Sequence, residues 1–370
     1  MNTGFAKIPA IAAGIFLTAF VIISFIGQHQ YAGWFLMGFF LFLALTFRSH
    51  EILKGYAYTI MIFAAVSLSM YYPQYFIQVG DFKLSKLIVP LLQLIMFGMG
   101  AALSWKDFAG MRSMAKGVIL GLIFQYSIMP LLGFTIATLI SLPPEIAAGF
   151  ILIGSCPSGL ASNVMSYLAR ANLALSVTLT AIATLLAPLM TPMYMNLLAG
   201  ELVEVNFWSM VWDITKIILI PVGAGLLFNY FLHGKFKWLD NAMPLISMIS
   251  IALIIVVITA AGRQSLLTVG PLLILGAFIH NTLGYLMGYW SARFSGMPER
   301  DCRTIALEVG LQNGGLASGL ALSMGKLATV GLVPAVFGPL MNITGSSLAL
   351  WWRSKPPEEV EAARDKSLKN

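Results

Sequence analysis

Charge is what this sequence lacks. Only 10% of its 370 residues are Asp, Glu, Lys or Arg, where a soluble globular chain carries about 25% to cover its surface. Cysteines number two and histidines four. Cys156 and Cys302 lie far apart with no metal-ligand spacing, so a disulfide framework is unsupported and both thiols read as small packing residues. H-E-x-x-H, G-x-S-x-G and Asp-rich prenyl-diphosphate motifs are missing, which argues against an intramembrane enzyme. Acidic residues are outnumbered 15 to 22 by basic ones, a formal net charge of +7. The bases sit in short loops between apolar runs, as the positive-inside rule requires, and this removes the case for a nucleic-acid partner.

What is present is apolar: 58% of the chain, with a mean hydropathy of +0.85. Apolar runs long enough to cross ~30 Å of hydrocarbon predict helices at 7–27, 31–47, 55–73, 86–104, 115–140, 145–169, 173–198, 208–232, 243–262, 268–294, 302–325 and 329–352. The stretch after Lys7 runs into a second span with no A-x-A site, so it reads as a retained helix rather than a leader. Residues 355–370 form a charged tail. Twelve spans put both termini on one side. If that side is cytoplasmic, inside segments carry seventeen Lys and Arg against four outside, with Lys216 within a span; cytoplasmic termini are expected.

The chain resembles itself. Gly159-Leu160-Ala161-Ser162 matches Gly315-Leu316-Ala317-Ser318 at a shift of 156, and the same shift carries the spans of residues 55–198 onto those of 211–354. Each copy has five spans, an odd number, so the second enters from the opposite side. The loop before the first copy is basic (Arg48, Lys54) and the loop before the second acidic (Glu201, Glu204), in agreement with inversion. Inverted repeats are characteristic of secondary transporters. The expected organisation is two extra N-terminal transmembrane helices (1–54), a first five-helix repeat (55–199), a second inverted one (200–354) and a cytoplasmic tail (355–370).

Two repeat-equivalent spans contain poor helix material at mid-membrane: residues 154–159 with Pro157 and two glycines, and residues 308–315 with Glu308, Gln312, Asn313 and three glycines. Proline withholds a backbone donor, and unwound backbone at membrane depth is tolerated only where it is buried in protein or lines a cavity. Glycines also serve close helix packing, but interrupted spans at matching places in two halves point to a transport site. Glu308 is a carboxylate near the bilayer midplane with no evident neutralising base. Lys216 has its own candidate partner in Asp213 three residues away. Glu308 therefore requires a bound cation or a proton, and the carbonyls of Val309 and Leu311 with the Gln312 amide supply hard oxygen donors. His280 and Asn281 read as cross-helix hydrogen-bonding residues, with Asn281, the repeat mate of Gln125, a candidate for lining the cavity. A channel would want a continuous polar pore, whereas the polar groups here gather at one depth.

At these residues the chain resembles the bile acid:sodium symporter family. Residues 156–192 and 304–317 are similar to its two broken-helix regions, and FQYSIMP (124–130) and HNTLGYLMGY (280–289) match further stretches, so the likeness covers roughly 55–352. The resemblance implies an all-α polytopic membrane protein of two inverted five-helix repeats with broken, crossing helices, here with two additional N-terminal helices. It implies a bacterial inner-membrane protein that imports an organic anion with two co-transported sodium ions, as a core domain rocks or slides against a panel domain. Carried over residue by residue, one sodium would be held by Ser162, Asn163, Ser176, Thr180 and Glu308, the other by Gln125, Glu308, Val309, Leu311 and Gln312. Substrate would meet Ser158, Gly159, Leu160, Asn313, Gly314, Gly315 and Asn281. Half-helix N-termini beyond each break would direct positive dipole ends at an anion. Leu160 and Ser158 stand where bacterial relatives often have threonine and glycine, which bears on substrate choice. A proton-coupled transporter, with Glu308 titrating, is the alternative reading.

Overall fold

With water absent, an apolar run can satisfy its backbone only through its own hydrogen bonds, so such runs become helices. The computed structural model of the chain describes residues 7–50, 53–104, 114–232 and 237–357. It is an all-α polytopic membrane protein, and eight of its helices among the described residues are long and apolar enough to cross a membrane. Lys106, Arg112, Lys235 and the tail beyond residue 357, with Arg364, Lys366 and Lys369, lie outside the described residues.

Helices α1 (Lys7–Phe25) and α2 (His29–Arg48) form a hairpin that turns at Gly27, φ 81°. α2 packs on α3 (Ala57–Tyr71). Gly33 makes that approach: a Cβ there would stand 2.5 Å from Tyr71 Cβ. Tyr72 closes the contact by donating to Gln30 O (2.7 Å) with its ring 5.4 Å from that of Trp34. α1 packs mainly on α2, with Phe20 edge-on to Tyr71 of α3 (6.5 Å between ring centroids), and is largely exposed along its length.

α3 belongs to a group with α4 (Ile88–Ala102), α9 (Phe207–Ile214), α10 (Ile220–Leu232) and α11 (Lys237–Ala261). α4 and α10 nearly touch at their backbones, since a Cβ on Gly100 would meet Val222 O and one on Gly225 would meet Phe97 O, both at 2.1 Å. Between α9 and α10 residues Thr215–Leu219 make a π-helical turn, and here one expectation fails. Asp213 and Lys216 form no ion pair, because the wider turn advances less per residue and rotates Lys216 off the Asp213 face. The lysine lies 5.1 Å over the Trp212 ring instead. The segment between α3 and α4, left outside the expected spans 55–73 and 86–104, contains a short helix (Gln74–Ile77) and a hairpin, β1 (Gln78–Val79) with β2 (Phe82–Lys83). Gly80 at φ 57° supplies its turn.

The remaining helices form the second group: α5 (Ala115–Leu139), α6 (Pro144–Ser155), α7 (Leu160–Leu168), α8 (Leu173–Ala199), α12 (Arg263–Phe294), α13 (Glu299–Gly310), α14 (Gly314–Ser323) and α15 (Leu332–Arg353). A shift of 156 carries α6 onto 300–311 and α7 onto 316–324, so the interruptions of the two copies coincide. Arg303, 5% exposed on α13, is tolerated because it pairs with Glu299 (2.8 Å) and donates to Ala169 O (3.4 Å), Trp352 O (3.2 Å) and Lys355 O (2.9 Å). Those carbonyls close the C-terminal ends of α7 and α15, where a cation is favoured. At the opposite end, Glu145 in the first turn of α6 accepts from Lys326 (2.5 Å) and Thr329 (2.6 Å).

α5 and α6 touch through glycines, with a Cβ on Gly154 falling 2.3 Å from Met129 O. Gly154→Val should therefore destabilise the chain by about 1–3 kcal/mol, read as a lowered melting temperature. An unchanged midpoint would mean the two backbones stand further apart.

Candidate functional site

The two interruptions meet. α6 ends at Ser155 and α13 at Gly310, and the extended residues beyond them pair as a short antiparallel bridge between Ser158 and Gln312. Gly159 N donates to Leu311 O (3.1 Å) and Asn313 N to Pro157 O (2.8 Å). Each break thus supplies the hydrogen bonds that the other has lost, which is what permits irregular backbone at this depth. The bridge requires Gly159 to lie close, since a Cβ there would be 3.3 Å from Gln312 O. Asn313 caps α14 by accepting from Leu316 N (3.0 Å). The N-termini of α7 and α14 both begin at this crossing.

Glu308, 3% exposed in the last turn of α13, aims its carboxylate at α7 and α8. Ser176 Oγ donates to its Oε1 (2.5 Å), and Ser158 Oγ (2.5 Å) and Thr180 Oγ1 (2.9 Å) donate to its Oε2. Ser176 and Thr180, four apart on α8, share one face. Both also approach Asn163 Oδ1, at 2.9 and 3.3 Å, and Thr180 Oγ1 lies 3.3 Å from Ser162 Oγ, which itself donates to Gly159 O (2.8 Å). A hydroxyl has one proton, so Ser176 cannot serve Glu308 and Asn163 together, nor can Thr180. The cluster holds more oxygen acceptors than protons around one carboxylate, and that donor chemistry fits a hard cation. No group of three or more His, Cys, Asp or Glu side chains placed to hold a metal ion occurs among the described residues. Arg303, five residues away on the same helix, is committed to Glu299 and the helix ends and does not neutralise Glu308.

Beside this lies a second group. Gln125 Nε2 donates to Cys156 O (3.0 Å) and Gln312 Oε1 (2.9 Å), and Gln312 Nε2 donates to Val309 O (2.5 Å). Gln125 Oε1 is buried with no partner. An orphaned buried acceptor calls for a donor or a cation, and its amide is bonded to Gln312, whose own amide meets Val309 O. Leu311 O already accepts from Gly159 N and keeps one lone pair.

Of the residues named for the two ion sites, Leu311 and Gln312 lie in the bridge, Gln125, Ser162, Thr180, Glu308 and Val309 bond to it, and Ser176 and Asn163 join through Glu308 and Thr180. The residues named for substrate divide. Leu160, Gly314 and Gly315 are half-buried at the helix starts, and Gly159 and Asn313 are buried in the bridge. Ser158 turns its side chain away from the helix starts and onto Glu308. Asn281 is fully buried, donates to Gly310 O (2.8 Å) and accepts from Thr344 Oγ1 (2.5 Å), so it braces helices. His280 likewise hydrogen-bonds across helices, to Met129 O (3.0 Å). Sequence reasoning missed Thr344 and the bond of Ser158 to Glu308; the replacement of a family glycine by serine was the available signal for the second.

Known proteins show the same arrangement of sequence. The model of the Sodium Bile acid symporter family matches residues 89–269. A sodium-dependent transporter of Bacillus subtilis, the uncharacterized YocS, is 37% identical over 321 residues, 86% of this chain and 97% of its own length. The chain belongs to the sodium bile acid symporter family. Members it resembles also include the probable chloroplastic sodium/metabolite cotransporter BASS1 of Arabidopsis thaliana, 35% identical over 73% of this chain and 67% of that protein. The human ileal sodium/bile acid cotransporter is 33% identical over 64% of this chain and 68% of its own. The family is one of sodium-dependent transporters, and the all-helical, multi-pass architecture accords with it.

Ser158→Ala removes a donor from a buried carboxylate and should cost about 1.5–3 kcal/mol, visible as a lower melting temperature in potassium buffer. No change would mean that Ser158 does not hold Glu308.

Proposed function

We propose that this chain is a sodium-coupled symporter that carries a small organic anion across a bacterial inner membrane by alternating access, its termini cytoplasmic. The observation that carries the reading is the Glu308 cluster: one buried carboxylate surrounded by hydroxyl and amide oxygens with too few protons to satisfy them. A carboxylate unpaired at this depth costs several kcal/mol, and a monovalent cation offsets that without importing the second charge of calcium.

Two ions are assigned. One sits among Ser162, Asn163, Ser176, Thr180 and Glu308. The second sits among Gln125, Glu308, Gln312 and the carbonyls of Val309 and Leu311, where the orphaned Gln125 Oε1 supports it. Two sodium ions against one carboxylate leave a net charge of about +1, and the N-terminal dipoles of α7 and α14 add to it. A monovalent organic anion at Gly159, Leu160, Asn313, Gly314 and Gly315 completes the neutralisation. Substrate and cation thus stabilise one another electrostatically, which couples them without a dedicated arginine. Relatives named for bile acids and for metabolites bracket the class of anion. The half-buried Leu160 puts an apolar branch at the start of α7, so it bears on which anion is preferred.

The test is thermal stability of the purified protein against sodium, with potassium at matched ionic strength, and then with a panel of carboxylates and sulfonates. A ligand that binds only the folded state raises stability by mass action. Sodium-specific stabilisation that grows on adding an anion is expected, and Glu308→Ala should abolish it together with sodium-driven uptake. Stability that follows pH and ignores the choice of alkali cation would instead identify proton coupling. Leu160→Thr should reorder the anions while leaving sodium affinity in place; a large loss of sodium affinity would count against its position.

A further inference from the structure

The two carbonyls assigned to the second ion, Val309 and Leu311, flank one that is held from behind. The last carbonyls of α13 have no partner within the helix. Val309 O is met by the Gln312 amide and Leu311 O by Gly159 N, both at the crossing. Gly310 O is met from the other side by Asn281 Nδ2 at 2.8 Å. The Asn281 amide is itself oriented: Thr344 Oγ1 on α15 donates to Asn281 Oδ1 at 2.5 Å, which leaves Nδ2 for the carbonyl. Tyr285 closes the group, its hydroxyl 3.4 Å from Thr344 Oγ1 and donating to Met341 O at 3.3 Å.

The distance between α12 and α13 is fixed by packing, so the reach of the amide has no slack. A Cβ on Gly284 would stand 3.4 Å from Gly310 Cα, one on Gly288 would stand 3.0 Å from Val309 Cβ, and one on Gly310 would strike Tyr285 Cδ1 at 2.2 Å.

Repeat symmetry supplies an independent comparison. Asn281 is the mate of Gln125, and each donates to a carbonyl at the end of its own copy's first half-helix: Gln125 to Cys156 O, Asn281 to Gly310 O. Glutamine is longer by one methylene. It reaches past the helix end into the oxygen cluster, where its Oε1 is free. Asparagine stops at the last helical residue, outside the cluster.

We propose that Asn281, oriented by Thr344, is a positioning residue for the second sodium site: by anchoring the Gly310 carbonyl it fixes the directions of the Val309 and Leu311 carbonyls. The assignment rests on the two-ion reading above. Asn281 touches no ion; it acts through the backbone.

The test uses the full chain, purified as wild type, Asn281→Leu, Thr344→Val and the double variant. Melting temperature is recorded across sodium concentration at constant ionic strength with potassium. Wild type should show a steep, two-ion dependence. Asn281→Leu should raise the sodium midpoint by about tenfold, the usual scale for losing a group that orients a ligand, and flatten the slope toward that of one ion. Thr344→Val should move both in the same direction by less. The double variant should match Asn281→Leu, because Thr344 works through Asn281. A merely structural brace would lower the melting temperature in potassium while leaving sodium midpoint and slope at their wild-type values, and that result overturns the proposal. Independent, additive shifts in the double variant overturn it too. If Asn281→Leu fails to fold, Thr344→Val decides, an unchanged midpoint and slope again overturning the assignment. A wild-type chain indifferent to sodium would sink the two-ion reading itself, and this one with it.

Discussion

Two interrupted helices at the centre of a bilayer expose N–H and C=O groups that water cannot reach, and each such group left alone costs several kcal/mol. The pairing of residues 157–159 with 311–313 removes most of that cost at both breaks at once. Each break is satisfied by the other, so the two must meet. Everything chemically notable follows from this contact. It sets the end of α13 against α7 and α8, and so brings Glu308 to Ser176 and Thr180. It also frees the carbonyls that face the Gln125 amide.

The carboxylate then settles the chemistry. A charge so deeply buried must be matched, and the surrounding side chains match it incompletely: hydroxyls donate to it while competing for Asn163. In the reading proposed above, such a cluster is stable enough to fold and still leaves oxygens for a cation to bind reversibly. Arg303 shows the opposite solution. It too is buried on α13, but its guanidinium is used on Glu299 and the carbonyls of two helix ends.

Much of this was legible in the residues. Breaks show because proline, glycine and amides interrupt a long apolar run, and Glu308 shows because nothing else in its span explains a carboxylate. What was not legible depends on rotation about a helix axis. The π-helical turn at Thr215–Leu219 moved Lys216 away from Asp213 and onto Trp212, and a three-residue spacing cannot foresee an extra residue in the turn. Ser158 sits in an extended stretch, where one dihedral decides between the helix starts and Glu308. Thr344 looks like any threonine whose hydroxyl lies beside a carbonyl of its own helix, here Leu340 O at 3.1 Å; its contact with Asn281 spans two helices that no local pattern links. The hairpin at 78–83 was hidden in a segment short enough to pass for loop.

The helical hairpin at the N-terminus has a mechanical consequence. α1 and α2 are fastened to α3 through Gly33, Tyr72 and Trp34, and so belong to the group containing α4 and α9–α11. Shifting helices along the bilayer normal drags apolar surface out of register with the acyl chains, at fractions of a kcal/mol per Å of mismatch, and the penalty grows with the perimeter in contact with lipid. Two further helices lengthen the perimeter of one group alone. Under the alternating access proposed above, the group bearing the hairpin would be the keel and the one bearing the crossing the moving part.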